Sequence, residues 1–167
     1  MNHKFIAKLG LSCLLFLPVT ANAIERALTP YVSIFNRSNS GAIQIKAPRT
    51  QFVIPYSDDD GSFSPLAIEF DVISLSETPI DYRLTLPLSQ HFCVVDNKDT
   101  ALTLKDITID GAPIASSLST LPGHKGILTT GVKEKTHVMT VTYPRIERSS
   151  SSIFCYGTLG IQAEVVL

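Results

Sequence analysis

Residues 66–88 read LAIEFDVISLSETPIDYRLTLPL, and they contain two runs in which apolar and polar residues alternate. A period of two places the apolar side chains on one face of a β-strand. Between the runs, residues 76–79 (Ser-Glu-Thr-Pro) are turn formers. The stretch therefore predicts two strands at the centre of an all-β core. Their apolar faces comprise Leu66, Ile68, Phe70 and Val72 in the first strand and Ile80, Tyr82, Leu84, Leu86 and Leu88 in the second.

Two arrangements of these strands bury both apolar faces. A hairpin would pair Phe70 with Leu84 and set Asp71 opposite Arg83, which is a favourable cross-strand pair. An arch would instead send the strands into opposing sheets, so that their apolar faces meet across the core. The alternation is compatible with both arrangements.

The remaining sequence predicts further short strands and no helix. Turn-rich segments separate them, including the acidic stretch 57–65, which we interpret as a solvated turn because it lacks the later ligands of a calcium loop. Residues 112–126, rich in Ser, Pro and Gly, predict a long loop. Several short strands at this spacing are typical of an immunoglobulin-like β-sandwich. The predicted strands cover residues 42–47, 50–56, 91–95, 101–109, 135–143 and 153–167.

The first 23 residues have the pattern of an export signal. Lys4 and Lys8 precede an apolar run, residues 9–19, that is too short to span a bilayer. Small residues at positions 21 and 23 then fit a cleavage site after Ala23. We expect three segments: the signal at 1–23, an N-terminal extension and hinge at 24–41, and one β-sandwich domain at 42–167.

The charge of the mature chain argues against a nucleic-acid partner. Loss of Lys4 and Lys8 lowers the number of Lys and Arg residues from 14 to 12 against 15 acidic residues, so the net charge is about −3. Nucleic-acid-binding domains instead carry basic patches, often interleaved with aromatic residues.

Two cysteines, Cys93 and Cys155, remain once the signal with Cys13 is removed. An even pair in an exported chain predicts one disulfide bond. Free thiols or a metal site are the competing interpretations.

No sequence motif for catalysis, cofactor binding or metal binding is present. His91, His124 and His137 are scattered without the short spacing of metal ligands, and we interpret them as polar residues of the surface or of strands. No serine lies in a nucleophile elbow, and no glycine-rich phosphate loop occurs. We therefore expect a protein that is not an enzyme and that uses no cofactor.

Both ends of the mature chain are apolar. Residues 24–35, IERALTPYVSIF, precede the turn-forming segment 36–41, NRSNSG, and the chain closes with CYGTLGIQAEVVL. Together with the signal and the all-β body, this organisation resembles a fimbrial (pilus) subunit assembled by the chaperone–usher route in Gram-negative bacteria.

The resemblance implies an immunoglobulin-like domain that lacks its final strand and is completed by β-augmentation. The extension 24–35 would be donated to the next subunit through Leu28, Val32 and Ile34. Implied partners are other fimbrial subunits, a periplasmic chaperone, an outer-membrane usher and a host receptor, with export through the periplasm to the cell surface. The implied function is structural, in support of cell adhesion. The acceptor groove would be lined by Leu159, Ile161, Ala163, Val165 and Leu167.

Residues 24–35 have a second interpretation, as the first strand of a complete sandwich. The protein would then be a self-contained secreted or periplasmic binding domain, for carbohydrate or protein, or an inhibitor. Polymerisation discriminates the two, because a complete sandwich stays monomeric.

Overall fold

The two central runs of alternating residues form strands in different sheets. Strand β5 (Leu66–Ser74) alternates buried and outward-facing residues along its length. Strand β6 (Ile80–Val95) follows it. β5 pairs with β2 (Ile43–Lys46) and β11 (Glu134–Thr142), whereas β6 pairs with β10 (Ile127–Val132), β12 (Ile153–Val165) and β7 (Lys98–Ala101). Phe70 accordingly lies opposite His137 rather than Leu84. The arch is therefore the correct arrangement, and the hairpin is excluded.

A computed structural model describes residues 26–36, 43–95, 97–114, 126–146 and 153–166, and their secondary structure is strand without helix. The remaining strands are β1 (Arg26–Asn36), β3 (Ile54–Ser57), β4 (Ser62–Phe63), β8 (Asp106–Ile109) and β9 (Ala112–Pro113). The seven-stranded sheet has the order β10-β6-β12-β1-β3-β4, with β7 also beside β6, and the five-stranded sheet has the order β2-β5-β11-β8-β9.

The core lies between the two sheets, so the predicted β-sandwich is confirmed. Phe70 and Met139 from the five-stranded sheet and Leu84, Leu159 and Ile161 from the seven-stranded sheet are each at most 1% exposed. Burial of large apolar side chains at roughly 1.5–3 kcal/mol each is the main force that holds the sheets together.

A β-bulge in β6 changes which residues face the core. Leu88 pairs with Gly160 and Thr85 pairs with Gln162, so two residues of β6 lie opposite one residue of β12. Buried positions are therefore even-numbered before the bulge, as at Leu84, and odd-numbered after it, as at Cys93. Leu88 is consequently only half-buried, although its parity predicted the core face.

The prediction of one long strand at 101–109 was wrong. Only β8 (Asp106–Ile109) is a separate strand there, and Leu102 and Leu104 lie in an irregular segment, half-buried against the core. β8 is followed by a turn at Asp110-Gly111, where both residues adopt positive φ angles, of 52° and 79° respectively. Asn/Asp-Gly pairs suit such a turn because glycine accepts positive φ without strain.

Several sequence predictions lie outside the described residues, among them the export signal, most of the hinge and the larger part of the 112–126 loop. Within the described ranges, no helix is long and apolar enough to cross a membrane.

Candidate functional site

The first strand of the chain lies next to the last one. β1 runs parallel to β12 over eleven residue pairs, from Arg26 opposite Ile153 to Asn36 opposite Ala163. On its other side it pairs with the start of β3, where Leu28 lies opposite Ile54. β1 thus fills the space between β12 and β3, and its pairing with β12 is the one parallel ladder among the described strands.

Leu28 is the side chain that anchors β1 in the core. It is completely buried, whereas the next residue, Thr29, is exposed, as strand alternation requires. Its ladder partner Cys155 is equally buried. Removing β1 would therefore uncover apolar surface on both β12 and β3.

Pro30 removes one hydrogen-bond donor from β1 but does not break the sheet. The residue is buried and lies opposite Gly157 of β12. Proline has no N–H to donate, yet its carbonyl accepts a hydrogen bond from the Phe52 N–H at 3.3 Å. The ladder loses one donor at this position, and the backbone remains bonded through the acceptor.

The residues expected on the acceptor side are mostly core residues. Leu159 and Ile161 are fully buried and Ala163 is 1% exposed, while Val165 is half-buried against the core and Leu167 lies outside the described residues. Of the expected donor residues, Leu28 is buried. The backbone positions of Val32 and Ile34 pair with Leu159 and Ile161, respectively. β1 and the predicted groove are therefore in contact within one chain.

The predicted disulfide is present. Cys93 of β6 and Cys155 of β12 lie directly opposite each other, with their sulfur atoms 2.09 Å apart. Because Cys155 is also the ladder partner of Leu28, the bond ties one wall of the β1 site to the neighbouring strand.

A polar network that the sequence did not predict crosses the core between the two sheets. The Tyr82 hydroxyl lies 2.6 Å from Nε2 of His137, and Nδ1 of His137 lies 2.7 Å from Oδ2 of Asp110. Lys135 Nζ lies 3.4 Å from the same carboxylate oxygen. With Nδ1–H donating to Asp110, the neutral ring accepts from Tyr82, so both nitrogens are satisfied.

Burial lowers the pKa of His137, although the Asp110 carboxylate opposes this shift. Burial alone would raise the pKa of Asp110, but hydrogen bonds from the Val138 N–H and from His137 lower it overall. The burial of His137 was visible in the sequence, because His137 is in phase with the apolar residues Met139 and Val141 of its strand. His91 and His137 are thus buried strand residues rather than surface residues. His124 lies outside the described residues.

The acidic stretch 57–65 is a turn only at 57–61. The prediction of a solvated turn was wrong for Ser62–Phe63, which form β4, because Phe63 packs into the core and is 2% exposed. The Ser57 hydroxyl donates to Oδ2 of Asp60 at 2.7 Å, and the Gly61 N–H donates to the Ser57 carbonyl. In the described part of the chain, no three His, Cys, Asp or Glu residues are grouped so that they could hold a metal ion.

No model of a known protein family matches this chain, and no curated protein is significantly similar to it in sequence.

Proposed function

We propose that the protein is a structural subunit of a surface fimbria, which polymerises by exchange of β1 between copies and supports cell adhesion. The observation that carries the proposal is the place of β1. The N-terminal strand lies beside the C-terminal strand β12, and its completely buried Leu28 fills a groove between β12 and β3. In this proposal the sandwich is immunoglobulin-like, and β1 occupies the position of its missing last strand.

The groove cannot remain open in water. Leu159, Ile161 and Ala163 line β12 and are at most 1% exposed while the domain is complete. Uncovering such residues costs roughly 25 cal/mol per Å² of apolar surface and leaves an unpaired strand edge that promotes aggregation. A subunit whose β1 has left would therefore need another strand at once, first from a periplasmic chaperone and then from the next copy.

The connection after β1 limits how far β1 can reach. Six residues, 37–42, separate β1 from β2. At no more than about 3.5 Å per residue step, the link spans roughly 25 Å. Donor and acceptor domains must consequently be direct neighbours, which is the geometry of a linear fibre delivered to the cell surface by an outer-membrane usher.

Deletion of residues 24–35 tests the proposal. The truncated chain should fold when a periplasmic chaperone is coexpressed, and a synthetic peptide with the sequence 24–35 should then replace the chaperone and stabilise the body. A truncated chain that fails to fold with either the chaperone or the peptide would contradict strand exchange.

The pairing of β1 within its own chain favours a second candidate, a self-contained secreted or periplasmic binding domain. Light scattering across a wide concentration range discriminates the two. A fimbrial subunit exported without its chaperone should form oligomers with exchanged strands, whereas a complete domain should remain a monomer at every concentration.

A further inference from the structure

Three aromatic side chains lie together on the outer face of the seven-stranded sheet. Phe92 of β6 is the ladder partner of Tyr156 of β12, and Phe154 lies two positions before Tyr156 on the same strand. Their neighbours Cys93 and Cys155 are buried in the core, so the three rings point outward, as strand alternation requires. The ring centroids of Phe92 and Phe154 lie 5.7 Å and 6.1 Å, respectively, from that of Tyr156. These three residues form the aromatic cluster.

The aromatic cluster leaves apolar surface in contact with solvent. Phe154 is 47% exposed, and Phe92 and Tyr156 are half-buried, whereas Phe70 in the core is 1% exposed. Aromatic residues that lie together on a surface are typical of protein–protein interfaces, where Phe, Tyr and Arg are enriched. The aromatic cluster is therefore a candidate contact surface.

A carboxylate lies at the edge of the aromatic cluster. Asp99 of β7 is the ladder partner of Val94, and Val94 is the ladder partner of Phe154, so the three side chains share the outer face. Partial burial and a hydrogen bond to the Asp99 carboxylate raise the pKa of Tyr156, whose hydroxyl group thus keeps its proton at neutral pH. Asp99 is exposed, and its two oxygens can accept further hydrogen bonds from a partner.

The rings and the carboxylate together favour a positively charged partner. The face of an aromatic ring carries partial negative charge and attracts a cation within about 6 Å of its centroid. The Asp99 carboxylate attracts the same cation and repels anions. A guanidinium group satisfies both, because it is planar, stacks on aromatic rings and has five N–H donors for a carboxylate. A quaternary ammonium has no donor for Asp99, and a lysine ammonium is more strongly hydrated and has no plane to stack.

We propose that the aromatic cluster and Asp99 bind an arginine side chain on the surface of a partner protein. The guanidinium group stacks against the rings of Phe154 and Tyr156 and donates hydrogen bonds to Asp99. The proposal does not depend on strand exchange, because β6, β7 and β12 carry these residues whichever copy of the chain supplies β1.

Two peptides that differ in one charge test the proposal on the full exported chain. One is a blocked tripeptide with a central arginine between glycines, and the other has citrulline, which has the shape of arginine without its positive charge. In NMR titrations the arginine peptide should move the ring signals of Phe154 and Tyr156. It should bind about three- to tenfold more tightly than the citrulline peptide, because the cation–π attraction and the ion pair both need the charge.

Two exposed substitutions separate the contributions of the carboxylate and the ring. Asp99→Asn should weaken binding of the arginine peptide about two- to fivefold and change binding of the citrulline peptide little. Phe154→Leu keeps an apolar side chain but removes the ring, and it should also weaken arginine binding about two- to fivefold. Glu69→Gln is the matched control, because it removes a negative charge from the exposed face of the other sheet. This variant should bind both peptides as the wild-type chain does.

Several results would overturn the proposal. Equal binding of the two peptides to the wild-type chain, or ring signals that neither peptide moves, would do so. Unchanged arginine binding in Asp99→Asn would have the same meaning. Largest shifts at the acidic turn 57–61 would show a general attraction to negative charge rather than a site at the aromatic cluster. If Phe154→Leu does not fold, the comparison of Asp99→Asn with Glu69→Gln decides.

Discussion

Replacement of Leu28 by Asp is the sharpest test of the β1 site. Leu28 is completely buried between Cys155 and Ile54. The substitution removes roughly 1.5–3 kcal/mol of apolar burial. It also places a carboxylate among apolar residues, where desolvation costs several kcal/mol. The total of at least about 5 kcal/mol equals the whole stability of many small domains. We therefore expect β1 of this variant to leave the groove.

The neighbouring residue provides the matched control. Thr29 is exposed on the same strand, so Thr29→Asp should change stability by well under about 1 kcal/mol. Denaturant melts of both variants measure the difference. If β1 is exchangeable, the wild-type peptide 24–35 should restore the cooperative melt of Leu28→Asp, because the groove of this variant is intact.

The same variant has a consequence for assembly. In the proposed strand exchange, a Leu28→Asp chain should accept a strand but not donate one, so it should end a growing polymer. Mixing it with wild-type subunits should shorten fibres in proportion to its fraction, as seen by electron microscopy, whereas Thr29→Asp should leave their length unchanged. A Leu28→Asp chain that no peptide or chaperone rescues would show that β1 is an ordinary strand of its own domain.

Three further predictions concern the body of the fold. Joint replacement of Cys93 and Cys155 by Ala should cost about 4 kcal/mol in denaturant melts, since the bond closes a loop with a sequence separation of 62; equal stability of reduced and oxidised wild-type protein would contradict this. Leu84→Ala should cost about 2–5 kcal/mol, whereas Arg83→Ala on the exposed face should cost under about 1 kcal/mol, and equal losses would mean that the strand faces are wrongly assigned. Burial lowers the pKa of His91 to about 4, so the folded state binds fewer protons than the unfolded state, and stability should fall by up to about 3 kcal/mol between pH 6.5 and pH 4. Most of that loss should be absent in His91→Phe melts across the same range, and an identical pH dependence in both proteins would refute the assignment.

The sequence by itself determined the two central strands and most of their inward-facing residues, because a strand with one buried face alternates apolar and polar residues, and this alternation is visible within a short stretch of sequence. Phe70 and Leu84 were placed in the core from that pattern alone, and both are at most 1% exposed. The Cys93–Cys155 pair was predictable for a different reason, because the predicted export signal, once removed with Cys13, leaves two cysteines that have only each other to pair with.

Only the tertiary structure decided how these elements meet. The arch between β5 and β6 and the pairing of β1 with β12 depend on contacts between residues far apart in the chain, which no local pattern records. The bulge that turns His91 inward also depends on such distant contacts. So does the hydrogen bond between Tyr82 and His137, which joins the two sheets. A histidine appears polar in a sequence. Its burial depends on whether partners from other strands, or a ligand, satisfy its nitrogens, and that is decided when the sheets pack together.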